Sequence, residues 1–188
     1  MNIDKVKTAF KVADVILDKE HGIRHIKFIF LNSLNDENNK PLDKKILRDN
    51  SGRIYLIVSG EEIKKIGGSE CKGGIINTMS FYQGGMQGGP SIRTFGIHLL
   101  IKEELEKGKK VEIYMITSPK AKMKVKGLFS ESDMEVSAFR DMENKCKQDF
   151  ISVDGELPQW NFQERGEVWR QDILKAHSEH NSKRKAMT

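Results

Sequence analysis

The sequence contains no run of about 18 apolar residues, so it offers no transmembrane helix and no membrane association is expected. Its first residues, MNIDKVKTAFKVADVI, lack the apolar stretch and small-residue cleavage site of a secretory signal. Cysteine is scarce. Cys71 and Cys146 are too few for a disulfide framework and have no partners at zinc-ligand spacing. Free thiols in a reducing, cytoplasmic setting are the expectation. Internal repeats and long low-complexity segments are also missing, which sets repeat architectures aside.

What remains is a chain of 188 residues, a length that fits one domain with terminal additions. Hydrophobic residues make up 37% and charged residues 31%, and 32 Lys and Arg against 27 Asp and Glu leave a net charge of +5. That balance permits a polyanionic partner without requiring one.

Residues 4 to 18 place Val6, Phe10, Val12, Val15, Ile16 and Leu17 at roughly helical spacing and read as an amphipathic helix. Gly22 follows. In the run after it, Ile23, Ile26, Phe28 and Phe30 come to alternate as in a strand. Residues 32 to 52 are rich in Asn, Asp and Lys and read as a polar loop with a short helix around 42–48. Residues 53 to 59, RIYLIVS, and 62 to 67, EIKKIG, are short β-rich runs on either side of Gly60 and Glu61, so a hairpin is expected. Lys64 and Lys65 both stand in the second run, and register decides which turns inward.

Nine of the sixteen glycines fall between positions 60 and 89. This density predicts irregular backbone or close approach to a ligand. The stretch lacks the strand–GxxxxGK[ST]–helix order of a nucleotide-binding loop. Ser91 then caps a helix whose apolar stripe is Ile92, Phe95, Leu99, Leu100 and Leu105, ending at Gly108. Residues 109 to 117, KKVEIYMIT, form the strongest strand pattern. Residues 119 to 127 put Lys120, Lys122, Lys124 and Lys126 on one face and Ala121, Met123 and Val125 on the other. The lysines suit either a phosphate-contacting edge or protection of an edge strand against aggregation. Residues 131 to 147 read as a helix starting near Ser132 or Asp133. A last helix is expected to reach Lys175, followed by a polar, basic tail that frays. The class is α/β in the mixed α+β sense, with a small, mainly antiparallel sheet.

The hairpin reads Gly52-Arg53-Ile54-Tyr55, nine intervening residues, then Lys65-Ile66-Gly67. This resembles the GIY-YIG nuclease signature, although Arg53 interrupts the first triplet and Lys65 stands where the family usually has tyrosine. The order downstream strengthens the resemblance. A helix carries Arg93 and His98, a third strand follows, AFRDMENKC (138–146) supplies a helix with Glu143, and Pro158-Gln159-Trp160-Asn161 is similar to the family's closing segment. The match spans roughly residues 50 to 162.

The resemblance implies a three-stranded, mainly antiparallel core flanked by helices, over 50–162. It leaves an N-terminal helix/strand extension over 1–49, for DNA recognition or dimer contact, and a C-terminal helix and basic tail over 163–188. It implies a metal-dependent DNA endonuclease of restriction type, acting on double-stranded DNA as a homodimer. The alternative is a nucleic-acid-binding module that keeps the fold with an altered catalytic set.

Phosphodiester hydrolysis needs an activated water, a stabilised phosphate and help for the leaving oxygen. The residue types fit these needs. Glu143, with Glu131 and Glu135 as rivals, would hold one Mg²⁺ or Mn²⁺ that keeps most of its waters. Arg93 near a helix start opposes the dipole and calls for an anion, and it can pair with phosphate through two donors. Tyr55 is the candidate general base or water-orienting group. Lys65 either accepts a proton as a neutral amine or stays charged and lowers the Tyr55 pKa, the second role being favoured. Some restriction enzymes of the family carry lysine there. His98 is placed to shuttle a proton or contact phosphate. Lys120, Lys122, Lys124 and Asn161 are the expected nucleic-acid contacts.

Overall fold

A computed structural model describes residues 1–20 and 25–185. The expectations for Gly22 and Ile23, and for the last three residues of the tail, lie outside that range. After a single 3-10 turn (Ile3–Lys5) come β1 (Phe10–Leu17), β2 (Ile26–Phe30) and two very short strands, β3 (Leu34–Asn35) and β4 (Pro41–Leu42). A second 3-10 turn (Lys44–Arg48) supplies the short helix expected around 42–48. Then follow β5 (Gly52–Ser59), β6 (Glu62–Ser69), α1 (Gly74–Gln83), α2 (Ile92–Glu106) and β7 (Val111–Ser118). The chain ends with β8 (Ala121–Lys126), β9 (Glu131–Val136), α3 (Phe139–Asp154) and α4 (Gln171–Lys185).

The main sheet is five-stranded in the order β2-β1-β7-β5-β6, and each neighbouring pair is antiparallel. The expected three-stranded core is its β7-β5-β6 half, and β1 and β2 widen it. Central β5 is buried at every position. Of its odd-numbered residues, Tyr55 and Ile57 join a core with Ile113 and Met115 under α1 and α2. Its even-numbered residues Ile54, Leu56 and Val58 join a second core with Ile63, Ile66 and Phe150, against which Phe139, Met142 and Cys146 of α3 pack. A strand covered on both faces reads as a continuous apolar run, as RIYLIVS does.

Four sequence expectations change. Residues 10–17 form a strand, not part of a helix. A β-bulge between Lys11 and Ala13 breaks the alternation, so Phe10, Val12, Ala13 and Val15 are all buried and mimic helical spacing. The helix expected from 131 begins at Phe139. Before it, ESDMEV is a strand held by β8, with Lys122, Lys124 and Lys126 opposite Glu135, Asp133 and Glu131. The glycine-rich stretch is regular in part: Gly67 and Gly68 lie in β6 and α1 follows, while Gly73, Gly84, Gly85, Gly88 and Gly89 lie outside strands and helices as expected. The C-terminal helix runs on past Lys175 to Lys185.

The hairpin turn uses Gly60 and Glu61 at φ of +54° and +71°, the backbone that matches strand twist in a two-residue loop. β6 is the edge of the sheet, and the chain around 158–164 covers it. The Trp160 N–H donates to the Lys64 carbonyl at 2.8 Å. Asn161 accepts from the Ile66 N–H at 3.0 Å and donates to the Ile66 carbonyl at 2.9 Å. Its side chain thus stands in for a neighbouring strand.

Replacing Asn161 by Ala is expected to cost about 2–4 kcal/mol, since two buried backbone groups lose their partners. Asn161→Asp keeps an acceptor but cannot donate to Ile66, so it too should destabilise. Urea unfolding of the three proteins tests this, and unchanged midpoints would remove Asn161 from its structural role.

Candidate active site

The register of the hairpin decides what enters the site. Ile57 lies opposite Lys65 and Val58 opposite Ile63, so Lys64 is an extra residue in β6. This bulge keeps Ile63 and Ile66 on the α3 side while Lys65 turns to the Tyr55 side, where it is 2% exposed. Lys64 stays on the surface side, paired with Glu62.

Tyr55 lies across from Gly67, and a side chain at Gly67 would overlap the Tyr55 ring. The Tyr55 hydroxyl is 2.7 Å from that of Tyr82 on α1. Burial raises the Tyr55 pKa well above its ordinary value, and Tyr82 raises it further, against a smaller lowering by Arg93. Tyr82 is also shifted up, chiefly by burial. The expectation that a neighbouring cation makes Tyr55 acidic is therefore reversed: both phenols hold their protons at neutral pH. Burial instead pulls Lys65 down to about 8, with Glu164 opposing the shift and Arg93 and Lys147 adding to it.

Arg93 is the second residue of α2, which Ser91 caps by accepting from the Thr94 N–H at 3.2 Å. α4 fixes the approach to this helix: His177 and His180 donate to the carbonyls of Pro90 and Gly88 at 2.8 and 3.0 Å. Arg93 donates to Glu164 Oε1 at 3.4 Å. Lys147, one turn along α3 from Glu143, reaches Glu143 Oε1 at 2.7 Å and Glu164 Oε1 at 3.4 Å. The other Glu143 oxygen rests over Gly68, in space a side chain would fill. Burial raises the Glu164 pKa, but Lys65, Lys147 and Arg93 outweigh it and hold the carboxyl below its ordinary value.

Tyr55, Lys65, Arg93 and Glu143 thus share one cluster with Tyr82, Lys147 and Glu164. Sequence reasoning missed the last three. Lys147 was within reach through its four-residue spacing from Glu143 on a helix. Tyr82 lay in a stretch read as loop, and nothing local marks Glu164. Glu131 and Glu135, the rivals of Glu143, lie on β9 opposite lysines.

Other expected site residues are placed elsewhere. His98 is fully buried in the α1–α2 core; its Nδ1–H donates to the Tyr82 carbonyl at 2.8 Å, and burial lowers its pKa to about 4. It is neutral and shares no hydrogen bond with Arg93 or Glu143. Asn161 is 0% exposed and committed at both ends to Ile66, which corrects its expected place at a nucleic-acid surface. Lys122 and Lys124, with Lys120 just before them, stand on the β8–β9 hairpin, a separate sheet. The acidic residues opposite Lys122 and Lys124 balance their charge. At its tip Leu128 and Phe129 are 93% and 98% exposed.

Among the described residues no three His, Cys, Asp or Glu side chains gather as a metal-binding group. The single carboxylate of Glu143, with one oxygen over the Gly68 backbone, fits an ion that keeps most of its waters. No helix among the described residues is long and apolar enough to cross a membrane.

No protein-family model matches the chain, and no curated protein does. Solved structures do match. Restriction endonuclease Hpy188I in complex with product DNA is 17% identical, covering 84% of this chain and 84% of its own, at a TM-score of 0.47. A mutant of bacteriophage T4 EndoII is 19% identical, covering 85% of this chain and 95% of its own, at a TM-score of 0.50. The EndoII likeness shows a shared fold, and the chain has the fold of GIY-YIG nucleases.

Protonated Lys65 carries a stability cost with a definite pH dependence. Between about 8 and the ordinary lysine value of 10.5 the folded chain has released this proton and the unfolded chain has kept it. Wild-type stability contributed by this group therefore rises with pH across that window. Lys65→Met should be more stable than wild type by about 1–3 kcal/mol at pH 7, and its advantage should shrink from pH 8 upward. Denaturant unfolding of both proteins at several pH values reads the difference. A gap that stays constant or widens with pH contradicts a depressed Lys65.

Proposed function

We propose that this chain is a metal-dependent DNA endonuclease of restriction type, acting on double-stranded DNA as a homodimer. The observation that carries this reading is the convergence of Tyr55, Lys65, Arg93 and Glu143 from β5, β6, α2 and α3. The GIY-YIG fold and the sequence resemblance support the same assignment. Two active sites, one for each strand, are the reason for a dimer.

Glu143 would hold the Mg²⁺ or Mn²⁺ ion, which neutralises phosphate charge and assists the leaving oxygen. Arg93 uses its guanidinium fork on the scissile phosphate. Tyr55, kept protonated and tethered to Tyr82, orients the attacking water. Lys65, neutral in a growing fraction as pH approaches 8, takes a proton from that water. The water oxygen bonds to phosphorus as the bond to the leaving oxygen breaks. Lys65 is thus assigned the proton-accepting role in preference to Tyr55, whose burial disfavours the phenolate.

Incubating plasmid and phage DNA with the protein in Mg²⁺, Mn²⁺ or EDTA should give discrete, metal-dependent fragments. Glu143→Ala should give none, and Arg93→Ala should be slower by about 10²–10³-fold. Binding without cleavage of any methylated or unmethylated DNA would instead favour the binding-module reading.

The rate of cleavage under single-turnover conditions should rise with pH and level off above about 8. Lys65→Arg, which cannot deprotonate in this range, should lose nearly all activity. A Lys65→Arg protein with the wild-type profile would move the base elsewhere.

A further inference from the structure

We propose that Glu164 is an internal stand-in for the DNA phosphate: its carboxylate holds the anion position among Lys65, Arg93 and Lys147 in the free protein, and a phosphodiester binds by displacing it. This rests on the nuclease reading above and adds the group with which substrate must compete.

Three cations from three separate elements face this one carboxylate. Arg93 on α2 and Lys147 on α3 both reach Glu164 Oε1, each at 3.4 Å. Lys65 on β6 is buried, and Glu164 is the largest source of favourable charge for it. A charge-assisted N–H···O contact normally lies near 2.7–2.9 Å. Lys147 achieves such a distance with Glu143, at 2.7 Å, but neither cation achieves it with Glu164. The carboxylate therefore neutralises the position without filling it closely. A phosphodiester is tetrahedral, and its two unesterified oxygens stand farther apart than those of a planar carboxylate, so it can serve diverging donors together.

The position also allows exchange. The Arg93 side chain is 47% exposed and that of Glu164 25%. The backbone that carries Glu164 is tied to β6 through Trp160 and Asn161, so displacement asks only for rotation of the Glu164 side chain. Arg93 near the start of α2 opposes the helix dipole, which makes an anion necessary whether or not substrate is present. Glu164 meets that need in the free protein at the expense of affinity for DNA.

The full chain would be titrated into a fluorescent 20-base-pair duplex in EDTA, so that binding is read without cleavage. Glu164→Gln removes the competing charge and keeps the shape, and Glu164→Ala is the second variant should Gln disturb the fold. Glu179→Gln on α4 makes the same change of net charge elsewhere. Glu164→Gln should tighten Kd about tenfold, the equivalent of one competing ion pair, against less than about twofold for Glu179→Gln. Adding Arg93→Gln should erase most of that gain. A second probe needs no DNA: tripolyphosphate at constant ionic strength should raise the Tm of Glu164→Gln more than that of wild type.

Equal duplex affinities for wild type and both Glu164 variants would overturn the proposal and leave the cleavage assay to judge the nuclease reading. Weaker binding by the variants would also overturn it, making Glu164 an organiser of the cations. No duplex binding, together with a larger tripolyphosphate shift in Glu164→Gln, would keep the anion position and sink the nuclease reading. No duplex binding by any of the proteins, together with equal tripolyphosphate shifts, removes both.

Discussion

The extra residue at Lys64 sets the register on which the rest of the cluster depends. In a strand of strict alternation Ile63 and Lys65 would share a face. Either the second core would lose an isoleucine or the first would gain nothing from Lys65. The bulge lets Ile63 and Ile66 both pack under α3 while Lys65 enters beside Tyr55. A lysine this deep is costly to charge, which explains why its proton is held weakly and why carboxylates are drawn toward it. The bulge thus converts a one-residue offset in a hairpin into a tuned amine.

The same edge strand shows how the fold supports the site from outside the sheet. Among the described residues β6 has a strand on one side only, with a single bridge from Asn2 to Glu62 on the other, and a bulged strand with an otherwise open edge would be free to shift register. Asn161 blocks that shift by binding both backbone groups of Ile66, directly beside Lys65. The residue singled out in the sequence as a nucleic-acid contact does matter to the site, but through the backbone. The tie also sets the direction in which the following chain leaves, and this brings Glu164 to Arg93 and Lys147.

The β5–β6 hairpin, the capped helix α2 and the strand β7 were legible in the sequence because local signals agree there: apolar runs, a two-residue turn, a serine cap. The order of motifs then pointed to four residues that do converge. The failures share a physical cause. The bulge in β1 turned period-two burial into helical spacing. β9 is exposed along its length and is held through its partner β8, so no local burial pattern reveals it. Glycines 67 and 68 suggested loop, whereas they serve in a strand so that the Tyr55 ring and Glu143 carboxylate can lie close to it. His98 was read from its place after Arg93. Five residues on a helix turn through about 500°, so the two side chains point to different sides, and only the first faces the cluster.

The cluster has an unusual balance: Lys65, Arg93 and Lys147 against Glu143 and Glu164. One positive charge is left over in a partly buried setting, and salt screens such a charge less than one in open solvent. On the proposed nuclease reading, a phosphodiester that takes the place of the Glu164 carboxylate keeps this balance, and a divalent ion held by Glu143 would add positive charge for a transition state with growing oxygen charge. On the same reading, substrate and metal would favour one another electrostatically, since they carry opposite charges. The protein's part is to keep its own carboxylates from satisfying every cation. It does so by giving Lys147 a close carboxylate in Glu143 and leaving Arg93 with only the looser contact to Glu164. The donor least satisfied in the free protein is then the one best suited to the phosphate.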